Sequence, residues 1–235
     1  MSTQRDVADT LAEAAQTMDA EHTVEATLEA IVQAAKVSVP GFDAATVTVC
    51  HSDGRLETMA GTDQLAWDLD ALQYSLGEGP CVDAIRRGAD YQVEDTALEK
   101  RWPTYVRGAR AAGVRSQLGV EMYSDGEEVA GLNLYSTTKD AVVPDARHIA
   151  DLLAAHAALA LGHVRQNESM RSALAARKVI GQALGIVMER HELDEGRALR
   201  FLVRISSTSN TELRDVAQKV VDRRTKPLRR RRTGL

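Results

Sequence analysis

Aromatic residues are scarce in this chain of 235 residues: two Trp, five Tyr and two Phe make up 4% of it. Its cores must therefore be built chiefly from Ala, Val, Leu and Ile, which a hydrophobic share of 44% allows. Cysteine is scarcer still, with Cys50 and Cys81 alone. Two cysteines without metal-ligand spacing exclude a disulfide framework, and a reducing cytoplasm is expected. No apolar run approaches the length of a membrane span, and Met1–Asp6 is polar with no signal-peptide pattern behind it. G-x-S-x-G, H-E-x-x-H and G-x-x-x-x-G-K-[ST] are all missing, and no spacing pairs two carboxylates over a site. No catalysis, no metal and no membrane contact are expected, and the sequence requires no cofactor.

What is present is an asymmetry of charge. Residues 166–235 hold 16 Lys/Arg against 8 Asp/Glu, whereas residues 1–165 hold 13 against 26. Only the C-terminal portion is suited to approach a polyanion, because the field of the rest would repel one. Much of the positive excess lies in the tail RRTKPLRRRRTGL, residues 223–235, whose composition reads as disordered. The length suits two modest domains better than one.

Thr3 to Val39 reads as one helix, with Val7, Leu11, Ala14, Ala15 and Met18, then Val24, Leu28, Ile31, Val32 and Ala35 on one face, ended by Pro40-Gly41. Ala45–Cys50 (ATVTVC) alternates and is rich in β-branched residues; Ser52-Asp53-Gly54 turns it, and Arg55–Met59 returns as the second arm of a hairpin. Gln117–Tyr123, the turn Ser124-Asp125-Gly126 and Val129–Tyr135 repeat the recipe. Between the hairpins lie a helix from Pro80 to Arg87 and a loop-rich stretch around Trp102-Pro103. The prediction is an α+β domain, an antiparallel sheet with helices packed on it. Tyr74, Cys81, Trp102 and Tyr105 are the candidates to line a ligand pocket, since they fall in the loop-rich segments between the hairpins. Equally, Trp102 and Tyr105 can fill the core. Cys81 opens a helix, whose dipole lowers a thiol pKa; the competing reading is a small buried packing residue.

Four linked motifs, GEGPCVDAI (Gly77–Ile85), VEDTALEKRWPTY (Val93–Tyr105), GVRSQLGV (Gly113–Val120) and GLNLYS (Gly131–Ser136), resemble an actinobacterial GAF domain over residues 7–164. The resemblance implies a sensory or dimerising module for a small-molecule or redox signal. Its ligand, where one exists, would sit between the sheet and its covering loops; the family does not name it.

From Asp145 to Glu189 the chain lacks proline, which predicts a long connecting helix. Along it Ile149, Leu153, His156, Ala160, His163, Asn167, Met170 and Leu174 alternate by four and three, the spacing of a coiled-coil seam in a homodimer. A single helix lying on the sheet accounts for Ile149–Leu161 as well. Asp194 then caps a helix carrying Ala198, Leu199, Leu202, Val203 and Ile205. The joint Ser206-Ser207-Thr208-Ser209-Asn210 is expected to break that helix, and Ser209 with Glu212 to form a capping box for a third. Leu213, Val216, Ala217, Val220 and Val221 share one face of the third helix. A three-helix bundle over residues 174–222 follows.

The pattern A-x-R-x-x-I-G-Q-A-x-G-I-x-M-E-R, starting at Ala175, and the later S-x-x-x-N-x-x-L-R-D-V-A, starting at Ser206, resemble the ANTAR family. With the preceding domain, the chain looks like a GAF–ANTAR transcription antitermination regulator. That resemblance implies dimeric binding to paired RNA hairpins in a leader transcript, which keeps a terminator from forming. The family motif carries over to Arg177, Gln182, Ala183, Gly185, Ser206, Asn210, Leu213, Arg214 and Ala217, while Leu184 stands where family members often have Lys. RNA loops are read by short polar side chains at base edges and by Arg or Lys at phosphates. The candidates for RNA contact are accordingly Arg177, Lys178, Gln182, Ser206, Ser209, Asn210, Arg214 and Lys219. Two other readings stand beside this one. A DNA-binding helix-turn-helix is opposed by Glu212, Asp215 and Asp222 on the exposed face of the last helix. The third is a ligand-sensing dimer whose C-terminal bundle docks a protein partner.

Overall fold

Thr23 divides the N-terminal helix in two. A computed structural model of the chain describes residues 12–87, 91–124, 129–138 and 141–225, and in it residues 12–20 and Val24–Ser38 (α1) are separate helices. Thr23 is extended, and its hydroxyl accepts from the Ala26 N–H at 3.2 Å, an N-cap that periodicity cannot see because apolar residues recur on both sides. Val7 and Leu11 of the expected helix, Asp125-Gly126 of the second turn, and the tail beyond Thr225 lie outside the described residues.

The chain separates into two units, Met1–Arg165 and Gln166–Leu235. The first is built on a five-stranded antiparallel sheet in the order β2-β1-β5-β4-β3. The strands are β1 (Ala44–Cys50), β2 (Leu56–Gly61), β3 (Tyr91–Val93), β4 (Ser116–Ser124) and β5 (Val129–Ser136). Both expected hairpins pair as read, β1 with β2 and β4 with β5, and β3 is an additional edge strand.

Period two assigns the two faces different chemistry. Ala45, Val47 and Val49, Leu118, Val120 and Met122, and Ala130, Leu132 and Leu134 form one apolar face, packed against α1, Met18 and the start of a long helix, α5 (Pro144–His191). The alternate residues face α2 (Gln64–Leu76), α3 (Pro80–Arg87) and α4 (Pro103–Ala111), where Leu69, Trp102, Tyr105, Val106 and Tyr135 form a second cluster. Helix α2 is absent from the sequence reading because Asp70 and Gln73 interrupt the apolar pattern of its buried face, which Ala66 and Leu69 share. Its N-cap is Asp63, and Gly77 closes it in the left-handed region. The pocket candidates are therefore not in loops: Tyr74 is on α2, Cys81 on α3, Tyr105 on α4, and Trp102 is the α4 N-cap.

The start of α5 corrects the coiled-coil seam. Ile149, Leu153 and Ala160 are buried in this unit's own core, so they are not available to a partner, whereas His156 and His163 are exposed.

In the second unit, the end of α5 packs with α6 (Glu195–Ser209) and α7 (Leu213–Thr225) around Ala183, Val187, Ala198, Leu202, Val216 and Ala217. Helix α6 does not break at Ser206. The hydroxyls of Thr208 and Ser209 donate to the carbonyls of Arg204 and Ile205 one turn back, so these residues stay helical. The helix ends where Asn210 adopts φ 46° and the N–H groups of Asn210 and Thr211 both return to the Ser206 carbonyl, a Schellman closure. With Ser209 inside α6, the Ser209–Glu212 capping box is not formed, and the Glu212 carbonyl takes the first N–H bonds of α7.

Candidate functional site

Two groups of polar side chains stand out, a buried one in the first unit and an exposed one in the second. In the first, the layer between the sheet and α2 holds a buried hydrogen-bonded cluster centred on Asp70, which is fully buried. Thr58 Oγ1 and Thr48 Oγ1 donate to its Oδ2 at 2.8 and 3.2 Å; the Tyr135 hydroxyl donates to its Oδ1, and so does Asn133 Nδ2, the latter at 3.2 Å. Tyr74 Oη meets the hydroxyls of Thr48 and Thr58 at 2.7 and 2.9 Å. Gln73 Nε2 donates to Tyr135 Oη at 3.1 Å, and its Oε1 accepts from the Cys81 N–H at 2.9 Å. All of Asp70's partners are neutral, so burial dominates and pushes its carboxyl above the ordinary range, against the lowering effect of these bonds.

The spacing behind this cluster is regular. Asp70, Gln73 and Tyr74 stand at i, i+3 and i+4 on α2, Thr46 and Thr48 alternate on β1, and Asn133 and Tyr135 on β5. That periodicity was available in the sequence, but a buried polar face imitates a solvated one, and the reading missed it. Of the four pocket candidates, Trp102 and Tyr105 pack in the second core cluster and Tyr74 joins the Asp70 cluster. Cys81 borders a cavity of about 10 Å3, walled also by Ala84, Val120, Gly131 and Asn133. That is the room of one water. Of the two readings of Cys81, the small buried residue fits and the dipole-activated thiol does not: burial, then the charge of Asp70, pushes its thiol up to about 12, and its Sγ accepts from Asn133 Nδ2.

The G-E-G-P motif has a mechanical role. Gly79 has φ 133°, and a Cβ there would lie 2.3 Å from the Oε1 of Gln73. Only glycine lets the chain pass so close to the cluster. Between the two glycines Glu78 accepts from the Thr104 and Tyr105 N–H groups at 3.1 and 3.3 Å, capping α4, whose own N-cap Trp102 makes no side-chain cap bond. Trp102 Nε1 donates to Asp83 at 3.0 Å. The motifs GEGPC and RWPTY are thus joined in space.

In the second unit Val179, Ile180, Ala183, Leu184 and Val187 of α5 turn to the core, leaving Arg177, Lys178 and Gln182 exposed. Leu184, in the place of a family lysine, is half-buried there. On α7, Arg214 and Lys219 are exposed, with Glu212, Asp215, Gln218 and Asp222 beside them. Ser209 and Asn210 are exposed at the end of α6, but Ser206 is half-buried and its Oγ donates to the Thr211 carbonyl at 2.7 Å, a bond that shapes the turn. The reading missed Arg200 and Arg204, exposed on α6 at a spacing of i, i+4, together with Phe201, 39% exposed and 5.3 Å from the His191 ring. Their spacing is legible in the sequence, but the apolar face opposite accounts for a helix there without it.

Among the described residues no group of three or more His, Cys, Asp or Glu side chains is placed to hold a metal, and no helix is long and apolar enough to cross a membrane.

Residues 21–162 match the GAF domain family and residues 168–221 the ANTAR domain family. No curated protein matches the chain. Among solved structures, the GAF domain of a phosphoenolpyruvate-protein phosphotransferase from Coxiella burnetii is similar with a TM-score of 0.53 at 19% identity, covering 69% of this chain and 96% of that one. A free methionine-R-sulfoxide reductase from Neisseria meningitidis, in complex with its substrate, gives 0.54 at 18%, covering 68% and 91%. A bacteriophytochrome from the photosynthetic bacterium R. palustris gives 0.60 at 12%, covering 78% of this chain and 42% of that one, so the chain spans less than half of that protein's length. At these identities the likeness is one of fold. The match over most of the first unit places the chain in the GAF domain family, and the ANTAR domain behind it completes the two-domain architecture of a sensor joined to an RNA-binding antitermination regulator.

Proposed function

We propose that this chain is a homodimeric, signal-responsive regulator whose C-terminal module binds paired hairpins in a leader transcript and so keeps a terminator from forming. The observation that carries the reading is the division of labour within that module. Its apolar residues converge on one small core, while Arg177, Lys178, Gln182, Ser209, Asn210, Arg214 and Lys219 remain exposed. Exposed cations meet phosphates, and the amide and hydroxyl at the α6–α7 turn meet unstacked bases. Ser206 serves the turn itself. The domains read as 7–164 and 174–222, with 223–235 as a basic arm. A small-molecule signal at Cys81, beside the polar cluster of Tyr74, requires the layer between the sheet and α3 to open, because the cavity there has the room of one water. A sensory domain joined to an RNA-binding domain is the architecture of a regulator, so the chain is read as acting by binding and not by catalysis.

Dimerisation is supported by apolar side chains left in solvent on α5: Leu152 and Leu159 in the first unit, 38% and 62% exposed, and Met170 and Leu174 in the second, 54% and 61% exposed. Leu152 and Leu159 take the place of Ile149, Leu153 and Ala160 in the expected seam, which already held Met170 and Leu174. The test is a binding titration with a two-hairpin RNA, a single hairpin and duplex DNA, run beside sedimentation. A dimer that prefers the two-hairpin RNA is expected. A strict monomer, or preference for duplex DNA, would refute the reading, and binding to no nucleic acid would favour the protein-docking alternative.

A further inference from the structure

The first unit carries a concentration of positive charge that its overall balance conceals. Between Lys100 and Val120 the sequence holds five of the 13 basic residues of positions 1–165 and no acidic one. Four of the five, Lys100, Arg107, Arg110 and Arg115, line one open groove of about 610 Å3 between the outer face of α4 and the chain leading into it. Arg107 and Arg110 are a turn apart on α4, and Arg115 begins the approach to β4. All four are exposed, and none forms an ion pair with a described carboxylate. The single carboxylate in the lining, Glu99, is held by Arg101 at 2.6 Å and accepts the N–H groups of Lys100 and Arg101. Glu94 and Asp95 border a neighbouring depression instead. The groove also has an apolar side, from Pro103, Val106 and Ala111.

Four cations within one concavity, with no ion pair to a described carboxylate, repel one another, which is unfavourable unless an anion enters. The volume is that of a small-molecule site. A long polyanion would be repelled by the acidic remainder of the unit, whereas a compact anion feels mainly the groove. We infer that this groove binds a small phosphate-bearing molecule, with adjacent phosphates between the arginines and an apolar or ring portion on the Pro103–Val106–Ala111 side. The groove lies outside the buried Asp70 layer, on the solvent face of α4. Its place in signalling rests on the sensory reading of the domain; its existence does not.

Isothermal titration of the full chain with inorganic pyrophosphate and with ADP tests the inference. Saturable binding is expected for both, weakened about tenfold or more in the double variant Arg107→Gln/Arg110→Gln, unchanged in Lys36→Gln, and weaker as salt is raised. The exposed arginines leave the melting temperature of the double variant close to that of the parent. Absence of saturable binding at millimolar probe, or equal binding by the double variant, overturns the inference. Titrating hairpin RNA in parallel separates it from the RNA-binding reading. If RNA binds the parent and the double variant alike while neither probe binds, only the groove assignment falls. If the double variant loses RNA affinity and pyrophosphate does not bind, the groove belongs to the transcript.

Discussion

Asp70 is the residue on which the first domain's chemistry turns. Its carboxyl is buried among neutral donors, and its pKa is raised by desolvation. The native state therefore keeps a proton that the unfolded chain has already lost, from about pH 3.9 upward. Stability is expected to fall as pH rises from there through the raised native pKa. Asp70→Asn retains an acceptor for Tyr135 and Asn133, and the Thr48 and Thr58 hydroxyls can turn to accept, so the variant should fold with a flat profile over that window. Asp70→Ala leaves the donors unserved and should lose about 3 kcal/mol or more. Urea titrations at several pH values measure all three; an unchanged slope in the Asn variant would clear Asp70 of the effect. In the second domain, Arg177→Ala and Arg214→Ala should each weaken hairpin binding by about 1–3 kcal/mol without unfolding the protein. At Asn210 the left-handed backbone dictates the variant: alanine adds about 1–2 kcal/mol of strain there, whereas glycine removes the amide and keeps the closure. Asn210→Gly is expected to reduce discrimination between loop sequences more than overall affinity, read by competition between RNAs differing only in the loop.

Helices differ in how openly their residues announce them. Helix α7 and the start of α5 bury apolar residues at helical spacing and were legible. Helix α2 was not, because Asp70 and Gln73 occupy its buried face and satisfy one another through partners on β1 and β5, distant in sequence. The end of α6 was misplaced for a related reason: serine suits both a cap and a last helical turn, and the neighbouring residue's ability to go left-handed decides between them. Helix α5 adds a point of energetics. A Cβ at Gly162, Gly181 or Gly185 would meet nothing within 4 Å, so packing within the chain does not demand glycine at any of them. In an exposed helix each costs about 1 kcal/mol relative to alanine. Gly181→Ala should therefore raise the melting temperature, and hairpin affinity should fall if the bare surface beside Gln182 admits the RNA backbone. Equal affinity in a more stable variant would remove that surface from the interface.

For the whole molecule the governing feature is the opposition of charge between residues 1–165 and 166–235. Deleting Arg229–Arg232, which lie outside the described residues, should lower affinity for all RNAs alike. It should also make binding less sensitive to salt, in proportion to the phosphates that the arm no longer neutralises. Binding measured across a salt series, with matched and mismatched loops, checks this; a change confined to one loop sequence would show that the arm reads bases.

Charge balance, the two hairpins, Pro80–Arg87 and the apolar face of α7 were determined by the sequence alone, since each depends on neighbours within a few positions. Periodicity, turn residues and net charge are local quantities, and no tertiary contact alters them. Tertiary structure alone decided that Ile149, Leu153 and Ala160 serve the domain core, because a buried helix and a coiled coil demand the same spacing. Only the fold, too, brought Asp70 to Asn133 and Glu78 to the head of α4, pairing side chains whose separation along the chain no local pattern spans.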